Sequence, residues 1–325
     1  MIRAAVCPRY GPPEIVRIEE RPSQPLEAKQ VRVRVSSAAV NYPDVLLVAD
    51  KYQIHVPPPF VVGSEFAGVV VEAPDSTSDF AVGERVTGTV MYGAFAQEVA
   101  VAVQALARTP DGVDDRTAAA FGVAHRTAYH ALRSVARVRS GDAVIVLGAG
   151  GGVGLAAVQL AAALGADVTA IASSPEKLHA AASYGAKHTI NHRSGDLRAQ
   201  LRNALPDGAH AVLDPVGGDL SEPALRSLRR GGRFVTVGYA SGVIPRIPLN
   251  LVLIKGVVVA GFQFHDVPAD EFARNEAELR ELLITGKAEP HIGAVYPLAE
   301  TSSALRLVAD GKAVGKVLID VCGKQ

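Results

Sequence analysis

The sequence predicts an α/β protein in which a doubly wound parallel sheet occupies the middle of the chain and a mostly β domain precedes it. Three observations predict it. An uncharged run, AVIVLGAGGGVGLAAVQLAAALGA over residues 143–166, is broken at its centre by glycines. Downstream, apolar strand-like segments alternate with helix-like ones, the pattern of βαβ units. Upstream, short segments of period two lie between Pro and Gly turns, with almost no helical periodicity.

In chain order, QVRVRV from Gln30 and GVVVE from Gly68 read as strands, and a helical turn is expected over residues 43–48. Pro57, Pro58 and Pro59 interrupt any regular element, and Gly83-Glu84-Arg85-Val86 reads as a turn entering a further strand. Residues 116–139 are alanine-rich and helical, and Ser140-Gly141-Asp142 ends them. Residues 143–147 are β-branched or small and read as a strand buried on both faces. After the glycines, strong helix formers fill 155–164. Strands over 166–172, 188–191, 211–214 and 233–237 then alternate with helices over 176–183, 196–205 and 221–228. VVVAGF, residues 257–262, is an apolar strand suited to a sheet edge or to a partner chain. A helix over 269–285 follows, and residues 315–321 return to strand character, so the tail is expected to rejoin the first domain. The expected divisions are 1–122, 123–262 and 263–325.

Gly148, Gly150, Gly151, Gly152 and Gly154 remove side chains where a phosphate would approach the main chain. A helix N-terminus leaves amide N–H groups unpaired and positive, so this turn is a seat for a pyrophosphate. The best register is Ala149-x-Gly151-x-x-Gly154, with alanine at the first glycine of the Rossmann dinucleotide fingerprint. A transmembrane helix would not carry five glycines and Gln159 at its middle, so the run reads as two short elements. A tight turn without a nucleotide is the structural alternative.

The acidic residue that would bind the ribose hydroxyls of NADH is missing: Ala172 ends the second strand. Ser173, Ser174 and Lys177 follow, two hydroxyls and a cation suited to a 2′-phosphate, which favours NADPH. The same serines are N-cap candidates for the next helix, with Pro175 near its first position.

Lys plus Arg equals Asp plus Glu, 33 each, so no overall field draws nucleic acid or an anionic membrane. The two cysteines, Cys7 and Cys322, exclude a disulfide framework and a cysteine-rich zinc lobe. With the short apolar run at the start, they lead to the expectation of a cytoplasmic protein.

These residues resemble the zinc-free quinone oxidoreductase (zeta-crystallin-like) group of the medium-chain dehydrogenase/reductase superfamily. The matching pieces are Val40-Asn41-x-x-Asp44, Gly63-Ser64-Glu65-Phe66-Ala67-Gly68, Val82-Gly83-Glu84-Arg85-Val86, Thr127-Ala128-Tyr129, the glycine turn, Asn191-His192-Arg193, Asp214-Pro215-Val216-Gly217-Gly218 and Gly315-Lys316-Val317. The resemblance implies a GroES-like catalytic domain beside a Rossmann NADPH-binding domain. It also implies metal-independent hydride transfer to a quinone, and a homodimer formed through residues 257–262. Asn41 and Ser64 stand where zinc-dependent relatives carry cysteine and histidine, and Asp44, Glu65 and His55 lack the usual ligand spacing, so no metal is expected.

For the site, the resemblance implies Asn41 and Tyr129 as donors to the carbonyl oxygen that gains charge, with the nicotinamide near Asn41 and Thr127. Gly151, Gly152, Val153 and Gly154 are expected at the pyrophosphate, and Ser173, Ser174, Lys177 and His192 at the adenosine phosphate. Gly238, Tyr239, Phe262, Phe264 and Lys316 complete the expected cofactor contacts. Leu46 replaces a tyrosine common in relatives, which opens the alternative of an enone or enoyl-CoA substrate. A non-catalytic NADPH-binding structural or RNA-binding protein is the alternative of another class, and the sequence has no basic stripe with interleaved aromatics to favour it.

Overall fold

The structure, a computed structural model, describes residues 1–74 and 79–322. The chain gathers into two units, residues 1–123 with 290–325, and residues 124–289.

In the first unit β1 (Ile2–Cys7) and β2 (Arg17–Arg21) precede the long strand β3 (Gln30–Val40). Next come α1 (Tyr42–Val48), β4 (Phe60–Val61), β5 (Glu65–Glu72), β6 (Arg85–Thr89), β7 (Glu98–Ala102) and β8 (Leu106–Arg108). β3 is the spine, paired antiparallel with both β5 and β7. Its alternating half buries Val31, Val33 and Val35 fully, the driving force for that pairing. The strand runs five residues beyond the QVRVRV repeat because Ser37, Ala38, Ala39 and Val40 are buried without alternation. Small residues on both faces hide the period of two.

α2 (Asp115–His130) leads into the second unit and continues as a π-helical turn, Ala131–Ala136. Arg137, with a left-handed backbone at φ 57°, ends it short of the expected residue 139. Then follow β9 (Ala143–Leu147), α3 (Gly152–Ala163), β10 (Asp167–Ala172), α4 (Pro175–Ser183), β11 (His188–Asn191), α5 (Leu197–Ala204) and β12 (Ala209–Asp214). α6 (Ser221–Arg226), β13 (Leu228–Thr236), α7 (Leu249–Lys255), β14 (Val258–Gly261) and α8 (Ala269–Ile284) complete this unit. Its sheet runs β11-β10-β9-β12-β13-β14, with every neighbouring pair parallel. Strand order therefore reverses beside β9, the switch point at which such sheets bind ligands. α7 is not evident from the sequence, since LNLVLIK has no polar face to mark a period.

β15 (Ile292–Pro297), α9 (Thr301–Ala309) and β16 (Lys316–Asp320) belong to the first unit, where β16 pairs antiparallel with β3 and parallel with β15. The return begins at Pro290, not at residue 263. Residues 263–289 stay with the second unit because the carboxylates of α8 bind α2 and its π-helical continuation, as described below.

Candidate active site and cofactor seat

The glycine turn lies at the carboxyl end of β9 and opens α3. Gly148 takes φ 62°, and a Cβ there would lie 2.5 Å from Val216 Cγ2. A Cβ at Gly154 would strike the Gly148 carbonyl, so only glycine lets the helix approach the strand this closely. Gly151 is the N-cap of α3 and supplies no side-chain acceptor, which leaves the N–H groups of Gly152, Val153 and Gly154 without an intrahelical partner. That is an anion seat made of backbone.

Beside it, a Cβ at Gly150 would fall on the aliphatic stem of Lys177, so the lysine lies across the turn. Ser174 caps α4, its Oγ accepting from the Lys177 N–H at 3.4 Å. The capping role and the placing of Lys177 are thus one arrangement. His192 joins from the next strand, its N–H donating to the Ala172 carbonyl at 3.1 Å, and Ser173 follows that same Ala172. Burial pushes the Lys177 ammonium below its ordinary value, and the Arg193 charge adds to the effect. Burial likewise lowers His192, followed by the charges of Arg193 and Lys177. Burial beside the Arg193 charge favours the neutral forms of both groups, a setting in which an anion would be welcome. Arg193 belongs to this cluster although the sequence reading names only its neighbour His192. Its signal was a cation two residues past the strand end.

The Asp-Pro-Val-Gly-Gly stretch owes its shape to Asp214. Oδ1 accepts the N–H groups of Val216 and Gly217, each at 2.8 Å, and Oδ2 accepts Ser221 Oγ at 2.6 Å. This buried carboxylate holds Val216 against Gly148. Gly238 follows β13, its N–H 3.4 Å from the Asp214 carbonyl. Tyr239 is exposed, with its ring edge beside Gly217. Phe262 is buried and meets Phe264 edge to face at 5.0 Å, while Phe264 packs on His130 and lies under Arg126. Thr127 is buried on α2.

In the first unit a separate cluster forms where β3, α1, β5 and β16 meet. Lys316 Nζ donates to Asn41 Oδ1 at 2.6 Å and to Glu65 Oε2 at 3.0 Å. Asn41 Nδ2 donates to the same Glu65 oxygen at 2.9 Å, while Glu65 Oε1 accepts the Val123 N–H at 2.6 Å. All three side chains are buried. Asp44 Oδ2 accepts the Asn41 N–H at 2.7 Å, closing a capping box that starts α1. Burial pushes the Asp44 carboxyl up to about 7. Asn41 Nδ2 also makes longer hydrogen bonds, to Ala39 O at 3.4 Å and Ser64 Oγ at 3.5 Å. Lys316 and Glu65 are thereby joined to Asn41 in one cluster, a pairing that no spacing in the sequence announces.

Tyr129 does not have the free hydroxyl expected of it. Its ring is 2% exposed, and its OH donates to Glu278 Oε2 at 2.6 Å, where Arg133 also binds. Next to it Glu276 accepts from Arg126 Nε at 2.9 Å and lies 2.7 Å from His130 Nε2. These bonds tie α8 to α2 and engage the Tyr129 hydroxyl that is expected from the sequence at the substrate. His55 likewise stands apart from Asp44 and Glu65, bound to Asp50 and Tyr10.

Compared with known proteins, residues 152–281 match the family described as zinc-binding dehydrogenase, and residues 27–111 match the alcohol dehydrogenase GroES-like domain. The chain is 35% identical to quinone oxidoreductase-like protein 2 of Bos taurus, over 98% of this chain and 92% of that protein. It is 31% identical, over 90% of its length, to a stretch making up 14% of the mycocerosic acid synthase-like polyketide synthase of Mycobacterium tuberculosis. Among solved structures, the quinone oxidoreductase of Thermus thermophilus, described with its NADPH complex, has a TM-score of 0.82 and 32% identity, covering 98% of this chain and 100% of that one. The residues here do not fit a catalytic zinc. Asn41 and Ser64 offer an amide and a hydroxyl, and Glu65 is already bound by the Lys316 ammonium.

Proposed function

This chain belongs to the quinone oxidoreductase group of the medium-chain dehydrogenase/reductase superfamily and is an NADPH-dependent oxidoreductase, and from that premise we propose that it reduces a quinone by metal-independent hydride transfer. NADPH supplies the hydride from its nicotinamide ring. The backbone N–H groups of Gly152, Val153 and Gly154 hold the pyrophosphate, and Ser173, Lys177, His192 and Arg193 hold the 2′-phosphate. Ser174 positions Lys177 by capping α4.

The observation that carries the reading is the buried ammonium of Lys316, fixed by Asn41 and Glu65. A quinone oxygen gains negative charge as hydride arrives at the ring, and a preorganised cation in a dry setting stabilises that charge without a metal. Asn41 adds its second amide N–H, and Glu65 keeps both groups aimed. A neutral hydroquinone requires a net one proton from solvent, because the proton lost from the ring carbon that received the hydride offsets one of the two gained by the oxygens, so the cluster needs only to stabilise charge.

A second reading, reduction of the activated double bond of an enone or an enoyl thioester, is favoured by the likeness to part of a polyketide synthase and by Leu46, an apolar side chain on α1. Following NADPH oxidation across quinones, enones and enoyl-CoA esters decides between them. The expected result is quinone turnover that falls in Lys316→Met; turnover of enoyl esters alone establishes the second reading instead.

We also propose a homodimer joined through β14, the terminal strand of its sheet, where Val258 and Val259 are each 41% exposed. The free thiols of Cys7 and Cys322 support a place of work in the reducing cytoplasm. No described helix is long and apolar enough to cross a membrane.

A further inference from the structure

The second unit holds another concentration of cations, far from its glycine turn. A cavity of about 400 Å³ opens where α5, α6 and α7 end, beside Gly208 and Leu228 at the beginnings of β12 and β13. The cofactor seat lies at the opposite, carboxyl edge of the sheet, and the six residues of β12 between the two edges span about 20 Å. The cavity is lined by Arg198, Arg202, Arg226, Arg229, Arg230 and Lys255, against one carboxylate, Asp207. In a chain with equal numbers of acidic and basic residues, such an excess is local and calls for a cause.

Ordinary structural duties explain half of it. Arg226 pairs with Glu222 at 2.6 Å, Arg230 Nη1 donates to the Ile254 carbonyl at 2.8 Å, and Lys255 Nζ donates to the Leu228 carbonyl at 2.5 Å and to that of Arg226. The three helix C-termini, each with a partial charge of about −0.5, favour cations nearby. Together with Asp207 they offset fewer than half of the six positive charges. Arg198, Arg202 and Arg229 are exposed, and among the described residues their guanidinium groups form no hydrogen bond or ion pair. Arg198 and Arg202 stand one turn apart on α5 and so share a face. Burial, and after it the Arg226 charge, push Lys255 below its ordinary value.

We propose that this cavity binds a small soluble anion carrying two or more phosphate groups, gripped by Arg198, Arg202 and Arg229. The forked guanidinium matches phosphate oxygens two at a time, and three arginines with free forks suit more than one phosphate. The volume lies in the range of small-molecule sites and is large enough for a tripolyphosphate. Because the two sites lie on opposite edges of the sheet, both fill at once.

Calorimetric titration of inorganic tripolyphosphate into the NADPH-saturated protein at near-physiological salt tests this. One saturable site per chain is expected, weakened about a hundredfold in the Arg202→Gln/Arg229→Gln variant, with NADPH affinity unchanged. Lys177→Ala should leave tripolyphosphate binding as it was; a loss there would place the anion in the cofactor seat and overturn the proposal. So would an isotherm unaltered by the arginine substitutions, orthophosphate binding as tightly as tripolyphosphate, or a site that takes up only polynucleotide.

Discussion

Lys177 and Asp44 show how a side chain's setting decides its task. Lys177 lies across a glycine and within the field of Arg193, in the setting proposed above for the 2′-phosphate. Lys177→Ala should weaken NADPH about ten- to hundredfold and leave NADH nearly unchanged, read by titrating both cofactors. Equal losses for the two would mean that the lysine serves the helix cap and not the phosphate. Asp44 is fully buried, and its carboxyl is raised to about 7 from an ordinary 3.8. A folded carboxyl raised in this way binds its proton more tightly than the unfolded chain does. Its contribution to stability is therefore complete below the unfolded value and is lost as pH rises through the folded one. Urea midpoints at about pH 5 and about pH 8 should fall with rising pH in the wild type, and fall less in Asp44→Asn. Parallel declines in the two proteins would assign the loss to other groups.

At the scale of elements, α8 is attached to α2 and its π-helical continuation by a set of ion pairs and shared hydrogen bonds. Glu278 serves Tyr129 and Arg133, and Glu276 serves Arg126 and His130, while Asn275 Nδ2 donates to Ser134 Oγ at 3.0 Å. Partly buried charges bonded on several sides hold position more firmly than exposed pairs do. Tyr129→Phe removes one of these bonds and leaves Arg133 on Glu278. It should cost about 1 kcal/mol of stability and leave the quinone rate unchanged. A collapse of turnover without loss of stability would return Tyr129 to the reacting atoms.

For the molecule as a whole, the two units divide the chemistry. The second holds a six-stranded parallel sheet with the glycine turn at its carboxyl edge, proposed above to hold the pyrophosphate, and the first holds the buried Lys316 cluster. The six-stranded sheet has an apolar open edge at β14. Pairing with a second copy would satisfy its backbone and bury Val258 and Val259. Val259→Lys should therefore turn a sedimenting dimer into a monomer. A wild-type monomer at micromolar concentration would rule out this assembly.

The sequence by itself determined the alternation of strands and helices, the glycine turn and the replacement of a carboxylate by Ser173, Ser174 and Lys177 after the second strand. All are local matters, set by side-chain period, by the missing Cβ and by charge within a few residues. Only the tertiary structure decided which groups Tyr129 and Lys316 bind. Glu278 lies 149 residues beyond Tyr129 and Lys316 lies 275 beyond Asn41. No periodicity reaches that far, and a tyrosine two residues after a threonine reads alike whether its hydroxyl faces a substrate or a carboxylate. Partners brought together by the pairing of β16 with β3, or by the packing of α8 on α2, exist only once the chain is folded. Three exposed arginines, two on α5 and one at the start of β13, likewise read as solvated charge until the fold sets them around one cavity.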